Sequence, residues 1–447
     1  MTFTKFGKAL LMSALSAAVV FSVSSCVESY TVGFLYVTGT ITSGSSGNGI
    51  ISGFKIDHNT GRLREIHGLP VSSGGANPVR AVLITGSRFL YVLNRGVNSS
   101  GGSDCTTADP CQNSNITEFS VGGSGILVAQ ETFYTQGINP FRLIGDTSGN
   151  FLFALDHDSP SSAACALALG SSATTSCGDV TVFQVNQTTG RLSLVVNAQV
   201  TAASGAPLTY FPVPANPIDF TIASGNVLTL SGTPSTGDVV FPYAFNSSSG
   251  QLTISQNSPQ PLSIYQGTAI VNGVGYIYVL DNESIVVPAG TTGSFPSGTY
   301  PSQILPFSVG TGGALQAQTG GTVPDDATLD NPIFLLVESK GKFLYVANQG
   351  NNTQGTNPTS GLAGYVIDPS THQLSFIAGE PFGSGSGPQC LVEDPSDQFI
   401  YSADFNDSSV TGRVVDPNSG VLNSLRVTSS YALQGPATWC LVDGRTS

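Results

Sequence analysis

The sequence predicts an all-β fold: a seven-bladed β-propeller with four antiparallel strands per blade, its ring closed by a C-terminal strand that pairs into the N-terminal blade. Three observations predict it. One short apolar strand motif recurs seven times, a hairpin accompanies each recurrence, and the repeat starts and stops out of phase at the two ends of the chain.

The unit is plainest between Asn331 and Pro381. Four apolar runs, Ile333–Val337, Phe343–Ala347, Leu362–Ile367 and Leu374–Ala378, are separated by a tight turn, a long Gly/Asn/Thr loop and a second tight turn. Runs of about five residues rich in Val, Ile, Phe and Tyr between turn formers are strands, and four in succession make a meander. The second strand of this unit recurs as GFLYV (Gly33–Val37), RFLYVLN (Arg88–Asn94), NFLFALD (Asn150–Asp156) and NVLTLSG (Asn226–Gly232). It continues as YIYVLDN (Tyr276–Asn282), KFLYVAN (Lys342–Asn348) and QFIYSAD (Gln398–Asp404). Four of the hairpins carry a turn ending Gly-x-Leu, at Gly61, Gly190, Gly250 and Gly420. Phe54, Phe183, Tyr243 and Arg413 stand seven residues earlier, so Arg413 breaks an aromatic pattern.

Most first strands open on Asn-Pro or Gly-Pro: Asn77-Pro78, Asn139-Pro140, Asn216-Pro217, Asn331-Pro332 and Gly387-Pro388. The fifth unit offers only Gln266-Gly267-Thr268. Proline suits the first position of an inner strand, where a missing N–H costs least. The first unit lacks its first strand, and residues 435–442 form a lone first strand at the other end. Joining the two completes the seventh blade.

The ends and the composition set the setting. Met1–Ser25 reads as an export leader, with Lys5 and Lys8 flanking the apolar segment Ala9–Phe21. Val23-Ser24-Ser25-Cys26 resembles a bacterial lipobox, so Cys26 is the expected lipidation site. Residues 26–32 then form a tether and 33–447 the propeller. The expected location is the cell envelope, on the periplasmic or outer-membrane face, with the lipid as the only membrane contact. The formal charge is −13, and more negative once Lys5 and Lys8 leave with the leader. So acidic a chain has no field to hold nucleic acid. No Cys/His spacing suits zinc and no cofactor motif stands out, so neither metal nor cofactor is expected, and the protein reads as a monomer.

Six of the seven cysteines remain after acylation, and six allow fifteen pairings. Local spacing favours Cys105–Cys111 and Cys165–Cys177, which leaves Cys390–Cys440 to join neighbouring inner strands and lock the ring. The two faces differ in loop length. First-to-second and third-to-fourth turns are tight, whereas second-to-third connections run long (Arg95–Asn115, Asp156–Asp179, Asn282–Gln303, Gln349–Gly361). Long loops on a rigid scaffold carry function more often than tight turns do. That rim also gathers acids, including Asp104, Asp109, Asp156, Asp158, Asp179, Asp238, Asp281, Asp325 and Asp404, which predicts an acidic face. Asn94, Asp156, Asp281, Asn348 and Asp404 share one repeated place after the second strand and are expected to cap a turn.

Units of the form NP–apolar–turn–FLYVAN…F-x-V-D-x-x-TGxL resemble the lactonase family of seven-bladed propellers over nearly all of Thr31–Val442. That family includes 6-phosphogluconolactonases and carboxymuconate cycloisomerases. The resemblance implies charged residues on inner strands facing a central channel. At those places this chain has no His, and departs from the family's Gly-Pro-Arg-His stretch. It offers instead Arg80, Arg142 and Asp219, each second after its proline. A lactone hydrolase needs a cation for the developing oxyanion and a base to activate water. Arg80 and Arg142 fit the first role, and Asp219, or His157 in Asp156-His157-Asp158, the second. The sequence thus predicts a protein that binds a small molecule, glycan or protein on its loop-rich face, with Arg80, Arg142, Asp156 and His157 as candidate contacts. The alternative is a lactone hydrolase or cycloisomerase acting at the channel mouth.

Overall fold

The structure is a computed structural model. It describes residues 30–444, except 42–47, 171–175, 233–236, 256–258, 283–284, 288–297, 351–358 and the single positions 85, 87, 203, 263, 274 and 301. The leader and Cys26 lie outside the described residues. Seven antiparallel sheets are arranged as blades, and each inner strand touches the inner strands of both neighbouring blades, so the ring is complete. Blade 1 contains the closure: Ala437–Asp443 pairs with Thr31–Thr40, from Phe34 opposite Asp443 to Gly39 opposite Ala437. Five blades add a short fifth strand on the link to the next blade, such as Val71–Ala76 and Phe211–Val213.

The repeat motif has a physical reading. Within F-L-Y-V the Tyr points out of its blade and donates its hydroxyl to a backbone carbonyl in the outer hairpin turn of the next. Tyr36 bonds Gly125, Tyr91 bonds Gly190, Tyr345 bonds Gly420, and Tyr401 bonds Gly61 across the closure. The Phe two places earlier packs on the same glycine: a Cβ on Gly61 would stand 2.5 Å from Phe399, and one on Gly420 2.6 Å from Phe343. Both glycines also have positive φ (66° and 76°), so the turn needs glycine twice over. Asp57 and Asp416 hold these hairpins by accepting the N–H groups two and three residues on. The apolar core accordingly lies between blades. One cluster joins Leu35, Val37 and Phe54 of blade 1 to Tyr401 and Val410 of blade 7.

Each Asn or Gly before an inner-strand proline is left-handed (Asn77 φ 50°, Asn139 59°, Asn216 51°, Asn331 57°, Gly387 72°). Asn tolerates that region best among residues with a side chain. A register shift follows each proline, with Pro78 opposite Asn94 but Arg80 already opposite Leu93. The bulge turns the second residue after the proline toward the axis.

All three expected disulfides are present, with Cα–Cα distances of 5.1, 5.8 and 6.0 Å for Cys105–Cys111, Cys165–Cys177 and Cys390–Cys440. The last joins the inner strands of blades 7 and 1. One of the long loops, Asp156–Asp179, carries a helix, Ser162–Leu169. Ser161 caps its start by accepting from the Ala164 N–H, and left-handed Gly170 ends it. The disulfide from Cys165 pins that helix to its blade.

Two expectations about polar residues are corrected. Asp156, Asp158, Asp179, Asp238, Asp281, Asp325 and Asp404 are buried, so most of the acids on the loop-rich rim are internal and do not form a displayed acidic face. At Asn94 and Asp404 the repeated polar residue after the second strand accepts no backbone N–H of its own turn. It holds the link that enters its blade: Asn94 donates to the Ser73 carbonyl and Asp281 accepts the Gln266 N–H.

Candidate functional site

The second residue after each bulged position forms a ring at the neck of the channel. Going round from blade 2 it reads Arg80, Arg142, Asp219, Ala269, Phe334, Cys390 and Trp439. Arg80, Arg142 and Asp219 therefore converge, and all three line one cavity of about 200 Å³ together with Phe334 and Trp439. Above it, toward the loop-rich rim, Arg80 and Arg142 also line a polar cavity of about 380 Å³ with Gln266, Thr268, Gln349, Gln389 and Thr438. Below, toward the tight-turn rim, an apolar cavity of about 560 Å³ is lined by Val82, Leu83, Leu336, Val392, Trp439 and Leu441 among others. Shared lining residues make the three spaces consecutive.

The three charges at the neck are not equivalent. Arg142 Nε donates to Asp219 Oδ1 at 3.0 Å, and Asp219 Oδ2 accepts the Ile270 N–H at 3.0 Å. Asp219 is thus fixed in place by one cation and one backbone donor. Arg80 has no carboxylate within ion-pair distance among the described residues. Its NH1 donates to the Val79 carbonyl (2.7 Å), and its guanidinium lies 4.0 Å from the centre of the Trp439 ring. Trp439 is fixed in turn by Nε1 donating to the Ala81 carbonyl (3.1 Å) and by an edge-on contact with Phe334. Loss of solvent and the nearby Arg142 charge hold the Arg80 pKa well below its ordinary value, and Asp219 offsets only part of this. The neck therefore carries one positive charge more than its own carboxylate neutralises.

The other candidate contacts lie elsewhere. Asp156 is fully buried inside blade 3, where Oδ2 accepts from Thr181 Oγ1 and Oδ1 has no partner. Asp179 sits beside it with both oxygens unpartnered. Burial pushes Asp156 up to about 7 and, with the neighbouring Asp156 charge, pushes Asp179 well above the carboxylate range. The pair retains a proton near neutral pH. His157 is half-exposed on the loop-rich rim with Nδ1 3.1 Å from Asp158 Oδ2, and it lines neither cavity that Arg80 and Arg142 share. No group of three or more His, Cys, Asp or Glu side chains is placed to hold a metal among the described residues.

Trp439 and Phe334 escaped the sequence reading. In blade 1 the place of the proline is taken by Ala437, opposite Gly39, not by Pro436. Counting from Pro436 hides that the chain's single tryptophan stands in the same ring as Arg80.

The fold and the neck define a seven-bladed propeller with a charged channel. The model of the lactonase seven-bladed β-propeller family matches residues 47–209 and 302–440, more than half of the chain, and the protein belongs to that family. No curated protein matches the chain. Similar solved structures include a periplasmic gluconolactonase of Pseudomonas aeruginosa (18% identity, TM-score 0.63, covering 92% of this chain and 98% of that one). A candidate 6-phosphogluconolactonase of Bacteroides uniformis (13%, 0.63, 92% and 100%) and a protein of Lactobacillus plantarum (16%, 0.58, 92% and 99%) are others. At these identities the likeness is one of fold.

Proposed function

We propose that the channel neck is an anion-binding site for a small carboxylate- or lactone-bearing molecule that enters from the loop-rich mouth. The observation that carries this reading is Arg80: a sequestered guanidinium beside a second arginine, with no carboxylate of its own and with open cavity on both sides. A cation left in that state is stabilised by an anion supplied from outside. Trp439 beneath it is the only tryptophan, so intrinsic fluorescence reports occupancy directly. Gluconate is the first probe. It is expected to shift Trp439 emission saturably, and Arg80→Gln to abolish the shift. A response unchanged in that variant would refute the site.

Family membership favours a second reading, hydrolysis of a lactone at the same place. Arg80 then holds the oxyanion and the free lone pairs of Asp219 accept the proton of the attacking water; as the tetrahedral intermediate collapses the ring C–O bond breaks and Asp219 returns that proton to the leaving alkoxide. Hydrolysis of glucono-δ-lactone followed by acid release tests it. Loss of about 10²–10³ in rate is expected for Arg80→Gln, and a comparable loss for Asp219→Asn. Binding without turnover in the wild type leaves recognition as the function.

The setting we propose is the cell envelope. Three disulfides suit an oxidising compartment, and a leader ending just before Cys26 suits lipid attachment there. Incorporation of labelled fatty acid by the wild type but not by Cys26→Ser tests the anchor.

A further inference from the structure

Two places beyond the charged ring, the channel changes character. The fourth residues after the bulged positions are Val82, Ile144, Val271, Leu336, Val392 and Leu441, with Thr221 the exception. Every member of this second ring lines the neck cavity or the one below it. The lower space is the largest of the three at about 560 Å³. Its polar lining reduces to Ser339 and Glu393, and these engage each other, since Glu393 Oε2 accepts the Ser339 N–H at 2.7 Å. Above the arginines the lining is reversed, with three glutamines and two threonines around the 380 Å³ mouth.

A fully hydroxylated sugar acid filling this channel would leave its hydroxyls unpaired below the neck, a cost of the kind buried polar groups rarely carry. Conversely, an aliphatic wall of this length is wasted on a ligand that stops at Arg80. We infer that the ligand of this site is amphipathic: a carboxylate or lactone head held by Arg80 and Arg142, and a straight aliphatic chain running along the axis toward the tight-turn mouth. This rests on the neck being the ligand site, as proposed above. Charge complementarity fixes the head, because the neck has one unneutralised cation and the lower space offers none. Continuity fixes the tail, because Ile144, Phe334 and Trp439 line both the neck and the lower cavity. Trp439 therefore lies beside both parts, with Arg80 over its ring and the aliphatic space along its edge.

The test uses the full chain and Trp439 emission, with acetate, hexanoate and decanoate below micelle-forming concentrations and gluconate in parallel. Each methylene buried should tighten binding about fourfold, so decanoate should bind roughly two-hundredfold tighter than hexanoate. Arg80→Gln should weaken every member of the series. Leu336→Asn should flatten the dependence on chain length while leaving acetate and gluconate unchanged. If that variant fails to fold, decanoate brominated in mid-chain replaces it, and quenching of wild-type Trp439 beyond that by unlabelled decanoate is expected. Gluconate binding as tightly as decanoate, with no dependence on chain length, overturns the amphipathic ligand and leaves the anion site standing. Binding that grows with length but ignores Arg80→Gln overturns the head assignment and hence this inference. No response to any carboxylate overturns both.

Discussion

The propeller holds two populations of sequestered charge, and they are built in opposite ways. At the neck, Arg80, Arg142 and Asp219 are largely covered, and the sides that stay open face cavities. Inside the blades, Asp404 and its counterparts are sealed under the chain. Asp404 accepts from Ser402, Thr411 and Ser409 hydroxyls at 2.8, 2.7 and 3.4 Å and lies against the backbone of Gly385 in the incoming link. Both populations consist of charged side chains on or next to inner strands. What separates them is what lies around the charge: for Asp404 it is the protein's own hydroxyls and link backbone, whereas the open side of Arg80 faces cavity. Burial with internal partners marks a structural clamp, and burial beside an open cavity marks a site. The two sets should therefore respond separately when broken, one in stability and the other in binding.

The largest effect is expected from Asp404→Ala. It strands three hydroxyls and loosens the link into blade 7, at a cost of about 3 kcal/mol in unfolding free energy. Denaturant titration measures this, and binding of gluconate at the neck should be unchanged in the folded variant. Asp404→Asn, which keeps an acceptor, should cost about 1 kcal/mol. A large loss of binding in either variant would join the two populations and defeat the distinction.

A smaller effect, shared among several groups, is the dependence of stability on pH. Burial pushes Asp281 and Asp404 up to about 7 and Asp238 and Asp325 up to about 6. In the unfolded chain these groups titrate near 4. Between those values the native state holds protons that the unfolded state has lost. The contribution is fully present below about pH 4 and disappears as pH rises through about 7. The hairpin acids Asp368 and Asp416 work in the other sense. Hydrogen bonds hold their pKa values below the usual range, so they favour the fold only when ionised and oppose acidification below about pH 4. The thermal midpoint should accordingly be higher at pH 5 than at pH 8, and Asp404→Asn should reduce the difference. A midpoint that climbs from pH 5 to pH 8 would show that the inner acids are ionised in the fold.

The same contrast explains what could be read before the structure. The ring was legible because the residues that build it recur: a Phe on a glycine, a Tyr over the next hairpin, an Asn that can turn left-handed before proline. Arg80, Arg142 and Asp219 were legible as a group because they share a place relative to proline, and the bulge directs that place to the axis. Trp439 was not, because blade 1 starts its inner strand on Ala437 and the proline beside it is a false landmark. The acids were assigned to the correct rim but not to the correct depth. Sequence position gives the end of a strand, whereas the depth of Asp281 or Asp404 depends on a link that folds over it from the preceding blade. The helix at Ser162–Leu169 was missed inside a long loop, although Ser161 and Gly170 bracket eight residues of which six are Ala or Leu.

The smallest stability effect is expected where the binding effect is greatest. Replacing Arg80 by Gln removes a cation-π contact with Trp439, worth about 1 kcal/mol at a partly desolvated site. It also removes the cost of keeping a guanidinium out of water and its repulsion with Arg142, the two causes that depress its pKa. These contributions oppose each other, so unfolding free energy should change by no more than about 1 kcal/mol in either direction. Arg142→Gln provides the control. It leaves Asp219 at the neck without its cation and should cost about 2–3 kcal/mol, as removal of one partner from a sequestered pair does. Two arginines on adjacent blades, equally placed after their prolines, would then differ severalfold in their cost to the fold. The inexpensive one is the one without a carboxylate in ion-pair reach among the described residues, which is the behaviour of a residue retained for what it binds. Equal costs for the two variants would place Arg80 among the structural charges and remove the reason for regarding the neck as a site.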